Sequence, residues 1–404
     1  MMTRRRLLKT LPALAALPGL AMKAQWSGEA FTSHFHKKPL APPQPTLVYF
    51  GTDTAKGVSK GIYVSRFDSA TGQLTAPVLA AAGVRPGFLA LSESVVSHPR
   101  LYVTNEALDA SATISSFAVD LGTGALRPIN QVSAGAPGPC FVSLDATGEM
   151  AFAADYAGSA IASYRVLADG SLSEPVERID YKNAKFGRRG PVAARQDAPH
   201  PHSVHVSPDN RFLLVNDLGS DAISVFRIEP GAKLGEPVLF HTRPGSGPRH
   251  VAFHPNGRWV YSINELDSTI DHFLWTTTSS RTDPQAMLVN TGQTVKTGAT
   301  AKSTGAAEVA ISPDGNFLYA SNRGEDTLVV FSIDDGGRLT LVERIACGGK
   351  TPRHFTLSPD SKWLLCGNQD SATVTVFRRD GATGRLGGPV QSLALDSVMF
   401  TLFA

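Results

Sequence analysis

The chain has 404 residues, 42% apolar and 18% charged, with 37 glycines and 27 prolines. That apolar share supports a large core and, with the modest charge, excludes disorder, collagen and coiled coil. Lys and Arg number 38 against 35 Asp and Glu, and the net charge of +3 is spread along the chain with no footprint for nucleic acid.

The chain opens on TRRRLLK, Thr3 to Lys9, followed by an apolar stretch from Leu11 to Met22. Paired arginines ahead of a short hydrophobic region are a twin-arginine export signal. The stretch is too short for a membrane span, which needs about 20 apolar residues, and it holds Pro12 and Pro18. The sequence therefore predicts a signal peptide over 1–24 with cleavage near Ala24, and a folded protein delivered to the periplasm or otherwise exported, without a membrane anchor. Residues 25–45, with Pro39, Pro42, Pro43 and Pro45, read as an extended linker.

From Thr46 onward the chain repeats. Strand-like segments recur as LVYFGTD, LYVTNE, MAFAADY, FLLVND, WVYSINE, FLYASNR and WLLCGNQ, about 51 residues apart. Each is followed by a second run, such as TISSFAV or AISVFRI, and by a weaker third one. Six copies are preceded by a run ending in a tight turn, as in PHSVHVSPDNR and PRHVAFHPNGR. Four short strands per unit, with no helical period, predict an all-β, seven-bladed propeller over 46–404. The first unit lacks its leading strand and the chain ends in an unassigned one, SVMFTLF from Ser397. The last strand is expected to complete the first blade and close the ring.

In such a blade the first strand lines the central channel and the second returns antiparallel, so residues equidistant from the turn face each other. This arithmetic pairs Arg249 with Glu265, His202 with Asp217, Glu308 with Arg323 and Arg353 with Gln369, and sets Cys140 opposite Tyr156. The pairs gather at one channel mouth. Asn105, Asn264, Asn322 and Asn368 read as strand-end hydrogen bonders. Arg249, Arg323 and Arg353, with His202, His250 and His354 nearby, favour an anionic ligand, because guanidinium forks match carboxylate and phosphate oxygens. Glu265 facing Arg249 would be held ionised as a general base; a structural salt bridge is the alternative.

His200, His202 and His205 cluster in PHPHSVH, but alternation along a strand sends His202 and His205 to opposite faces, so no metal site is expected. Nor is there a GxSxG elbow or a nucleotide-binding glycine motif. The cysteines, Cys140, Cys347 and Cys366, are expected as buried free thiols, a Cys347–Cys366 pair being the alternative. Two insertions are expected on the channel-mouth face: 181–199, carrying Arg188, Arg189 and Arg195, as a lid or pocket wall, and a Ser/Thr-rich one over 276–304.

QDAPHPHSV, NDLGSD, GPRHVAFHPNG, INELDSTI, AEVAISPDGNFLYASNRGEDTL and PRHFTLSPD resemble the lactonase family of seven-bladed propellers. That family includes a bacterial 6-phosphogluconolactonase and fungal carboxy-muconate lactonizing enzymes. The resemblance implies catalytic and binding positions at His202, Arg249, Glu265 and Arg323, with no cofactor. It departs from the cytosolic members in the export signal, since a phosphorylated sugar lactone is an unusual substrate outside the cytoplasm.

The leading expectation is a hydrolase of a sugar-acid lactone. Glu265 with His202 would activate water, and Arg249 would stabilise the oxyanion. Substrate would be held by Arg323, Arg353, Glu308, His250, His354 and Asp217. The alternatives are a muconate-type lactonizing cycloisomerase and a ligand- or protein-binding propeller without turnover.

Overall fold

The SPD turns illustrate how the repeats fold locally. In Ser207-Pro-Asp209, the serine hydroxyl donates to the aspartate carboxylate at 2.5 Å and accepts the amide of Phe212 at 3.0 Å. Ser312 with Asp314 and Phe317, and Ser358 with Asp360 and Trp363, repeat the device. Each turn closes through a residue of positive φ, such as Asn210 at 58° and Gly315 at 76°, where glycine and asparagine lose least.

These hairpins assemble into seven sheets in a computed structural model that describes residues 46–92, 99–182, 188–278, 285–300 and 305–404. The predicted signal peptide and linker lie outside the described residues. Among the described residues, no helix is long and apolar enough to cross a membrane.

Blades are numbered here from the N-terminus. The innermost strands of blades 2 to 7 are Pro86–Ser92, Pro139–Leu144, Pro201–Val206, Pro248–Phe253, Ala306–Ile311 and Pro352–Leu357. Blade 1 takes its innermost strand from the chain end: Val398–Phe403 pairs antiparallel with Thr46–Thr52, with Val48 opposite Phe403. The Asp396 carboxylate latches this closure by accepting the amides of Val58 at 2.6 Å and Ser59 at 3.2 Å. The expected ring closure is therefore present.

The core is divided among the blade interfaces, with one apolar cluster between each neighbouring pair. A recurring tyrosine ties neighbours together at the turn end. Tyr49, Tyr102, Tyr261 and Tyr319 each donate to a glycine carbonyl of the following blade, Gly124, Gly170, Gly337 and Gly384, at 2.7 to 3.1 Å. All three cysteines are free and buried.

Two expectations need correcting. Much of the 276–304 segment is not a mouth loop: Ala286–Lys296 is the outermost strand of blade 5, hydrogen-bonded to Thr269–Thr277. Its Ser/Thr-rich composition hid a strand exposed at the sheet edge. The hairpin pairing is also displaced. Every innermost strand carries a β-bulge near its start, so that Pro201, not His202, lies opposite Asp217, and Pro248 lies opposite Asn264 while Arg249, expected opposite Glu265, sits at the bulge. The same offset sets Pro352 opposite Asn368 and Ala306 opposite Asn322. An extra residue bends the strand and re-aims its side chain, which no counting from the turn can anticipate.

Candidate active site

Two sets of positions build the channel mouth. One is the bulge residue: Cys140, His202, Arg249 and Arg353 in blades 3, 4, 5 and 7, and the pairs Gly87–Phe88 and Ala307–Glu308 in blades 2 and 6. The other is the residue that leaves the second strand, such as Glu106, Tyr156, Glu265 and Arg323. Its amide bonds back to the residue just before or at the start of the innermost strand, as Glu265 does to Gly247 at 2.8 Å and Arg323 to Gly305 at 3.0 Å. The two sets of positions thus lie side by side at one end of the ring.

Glu265 is the centre. It is 3% exposed, and its Oε2 takes Arg249 Nε at 3.1 Å and Arg323 Nη2 at 2.9 Å, while Oε1 takes Arg195 Nη2 at 2.6 Å. Burial alone would raise its pKa, but the three guanidiniums hold it at about 2. So strong a clamp makes Glu265 an anionic organiser and a poor proton acceptor. Arg249 is fixed further by its Nη1 on the Ala307 carbonyl at 2.6 Å. Burial, with Arg323 close by, lowers its pKa to about 9.

His202 stands 4.0 Å from Glu265 Oε2, beyond a hydrogen bond, and its buried Nδ1 has no partner. Burial first, then Arg249 and the other cations of the mouth, push its pKa well down, so the ring is neutral. It packs edge-on against Tyr156 and His250. The bulge also overturns the strand alternation expected of PHPHSVH: His202 and His205 both reach the His250 ring, at centroid distances of 5.2 and 6.2 Å. Among the described residues, no three histidine, cysteine or carboxylate groups converge as a metal would need.

Glu308 does not pair with Arg323. Its Oε2 meets His250 Nδ1 at 3.0 Å and His354 Nε2 at 3.4 Å, and His354 Nδ1 lies 3.1 Å from Thr401 Oγ1. These three line the channel wall between the innermost strands, with Phe88 and Phe400 against the histidines. Burial lowers the pKa of His354 to about 4. Arg353 is half-buried and forms none of the mouth's ion pairs among the described residues, and no pairing with Gln369 joins it.

Asp217 is not a ligand-facing group. It is fully buried, and its Oδ1 accepts the amides of His200, Gly219 and Ser220 at 2.6, 3.0 and 3.2 Å. It caps the turn between the second and third strands of blade 4, with burial pushing its pKa up to about 6 against those hydrogen bonds. Asn105, Asn264 and Asn368 likewise bond sideways to third-strand hydroxyls such as Thr113, Thr269 and Thr375.

Within the 181–199 insertion, of which 183–187 lie outside the described residues, Arg195 walls the site and also reaches the Tyr156 hydroxyl at 3.2 Å. Val192, Arg195, Glu265, Leu266, Arg323 and Thr351 line a crevice of about 420 Å³ there. A larger cavity of about 800 Å³, lined by Arg100, Met150 and Arg165, lies at the turn end of blades 2 to 4, away from this cluster. Glu106 went unnoticed in the sequence. It closes LYVTNE as Glu265 closes the homologous INE of blade 5, and that parallel could have revealed it.

Residues 47–403 match the family model described as lactonase, 7-bladed beta-propeller. The chain belongs to the lactonase family. It is 30% identical over 339 residues to a 6-phosphogluconolactonase of Bacillus subtilis, covering 84% of this chain and 92% of that protein. A 6-phosphogluconolactonase of Formosa agariphila is 31% identical over 357 residues, covering 86% and 97%. Among solved structures, a periplasmic gluconolactonase of Pseudomonas aeruginosa superposes with a TM-score of 0.80 at 32% identity, covering 89% of this chain and 98% of that one. The family's fold thus extends over the described propeller, and its open channel mouth carries the arginine-clamped glutamate.

Proposed function

We propose that this protein hydrolyses the lactone of a sugar acid, with His202 as the base that activates water. The observation that carries the mechanism is the contrast between His202 and Glu265. Both Glu265 oxygens are taken by arginines, whereas His202 is neutral and its Nε2 stands 4.0 Å from Glu265 Oε2, beyond a hydrogen bond. Water adds to the ring carbonyl carbon as His202 takes its proton. The oxyanion that forms is met by Arg249, pre-positioned by Glu265 and the Ala307 carbonyl, and by Arg353, which forms no ion pair among the described residues. Cations outnumber carboxylates around the mouth, so the site favours the added negative charge of the transition state and of the acid product. That charge also raises the basicity of His202 as the reaction proceeds.

The relatives' names favour hydrolysis over lactonising cycloisomerisation and over binding without turnover. The TRRRLLK signal supports export to the periplasm and, with it, an unphosphorylated sugar lactone as substrate. Proton release from glucono-δ-lactone, measured against the spontaneous rate, tests the reading alongside 6-phosphogluconolactone. The wild type should accelerate ring opening, and His202→Asn should lose about 100-fold or more in kcat. A wild-type rate equal to the spontaneous one on both lactones overturns it.

A further inference from the structure

A second carboxylate faces the same mouth from the opposite side. Glu106 leaves the second strand of blade 2, the position that Glu265 holds in blade 5, and its amide bonds to the Arg85 carbonyl at 3.0 Å. The two glutamates have contrasting surroundings. Three arginines bind Glu265 at 2.6 to 3.1 Å, whereas Arg85 Nη2 lies 3.7 Å from Glu106 Oε2 and is engaged at its Nε by Asp53 at 3.1 Å. Glu106 Oε2 is buried and accepts no hydrogen bond.

The bulge beside it explains what that oxygen faces. Blades 3, 4, 5 and 7 fill this position with Cys140, His202, Arg249 and Arg353, but blade 2 has Gly87, where a Cβ would lie 3.0 Å from Glu106 Oε2. A Cβ there would also crowd Met399 at 3.3 Å, so glycine is what lets the Glu106 carboxyl lie against this strand. Cys140 of the next blade sits between the two candidate groups: its Sγ is 3.2 Å from the His202 carbonyl oxygen, and Glu106 is the charge that most affects its thiol. Glu106, Cys140 and His202 thus follow one another around the rim in consecutive blades.

Burial raises the Glu106 pKa against the opposing pull of Arg353 and Arg85, while Glu265 is held low. Two carboxyls on one site driven in opposite directions are how acid and anion roles are divided. A buried carboxyl oxygen that accepts no hydrogen bond, with its arginine partner 3.7 Å away, is also costly to the fold, so a purely structural account of Glu106 is poor.

We infer that Glu106 is the proton donor to the leaving ring oxygen, an inference that rests on the hydrolase reading above. As the tetrahedral intermediate collapses, the ring C–O bond breaks and its electron pair goes to the ring oxygen. That oxygen takes the proton of Glu106 and leaves as the hydroxyl of the open acid. The proton that His202 took from water is released to solvent, and Glu106 is reprotonated from solvent, so one lactone and one water give one hydroxy acid.

The test compares the wild type with Glu106→Gln and Glu106→Asp on glucono-δ-lactone and on dihydrocoumarin, whose phenolic leaving group needs no acid. Glu106→Gln should lose about 100-fold in kcat on the aliphatic lactone with KM within about threefold, and far less on the aryl lactone. Its melting temperature should not fall, and Glu106→Asp should recover a large part of the rate. The ratio of the two substrates within one variant is independent of how much protein is folded. Equal losses on both substrates, or no loss on the aliphatic one, overturn the role of Glu106 alone. A wild type that leaves both lactones at their spontaneous rates overturns the hydrolase reading and this inference with it.

Discussion

Arg195 donates from Nη2 to Glu265 Oε1 at 2.6 Å, joining an insertion between blades 3 and 4 to the strand exit of blade 5. The insertion is held for this contact by its own bonds: Gly190 donates to the Gly219 carbonyl at 2.9 Å and the Gln196 side chain to the Leu218 carbonyl at 2.9 Å. A segment anchored to blade 4 thereby supplies the third guanidinium of a buried carboxylate.

Arg195→Ala should separate activity from stability. The arginine side chain is 44% exposed, so solvent screens its pair and its loss should cost the fold less than about 1 kcal/mol. Two arginines remain on Glu265, but the wall of the crevice opens and the glutamate is less well fixed. Steady-state kinetics on a sugar lactone should show kcat/KM down about 10-fold, with a urea midpoint close to that of the wild type.

Glu265→Gln should carry a pH signature. The folded pKa of Glu265, at about 2, is depressed below its unfolded value. Its stabilising contribution is therefore present above about pH 4.3, the unfolded value, and is lost as pH falls through 2. Below pH 2 the protonated glutamate and glutamine are near-equivalent. The stability gap between wild type and variant should be small there, widen to about 3 kcal/mol by pH 5 and stay level above it. Urea denaturation of both proteins between pH 2 and pH 7 checks the shape.

Removing the chain after Leu395 should abolish the native ring. The truncated protein loses Val398–Phe403, exposes the inner edge of Thr46–Thr52 and forfeits the Asp396 latch. An open propeller exposes two apolar blade faces and an unpaired strand edge, which promotes aggregation. Size-exclusion chromatography should find aggregate where the full chain gives a discrete peak.

Much of the molecule is legible from residues alone. The period of the strand-like segments, the SPD turns and the unassigned C-terminal SVMFTLF specify seven blades and their closure, because these depend on local alternation, local turn chemistry and a count of strands. The residue types at the mouth are legible for the same reason: His202, Arg249, Glu265 and Arg323 recur at matching points of successive repeats.

The tertiary structure decided how those residues meet. The bulges shifted Asp217 out of the mouth and into a turn cap, turned His202 and His205 toward one channel, and handed Arg323 to Glu265 in place of Glu308. Counting from a turn assumes strict pairing, and a single extra residue reverses the side-chain direction. Which carboxylate is clamped and which keeps an oxygen without a hydrogen bond, Glu265 or Glu106, depends on arginines arriving from other blades and from the insertion. Those distances exist only when the ring has closed.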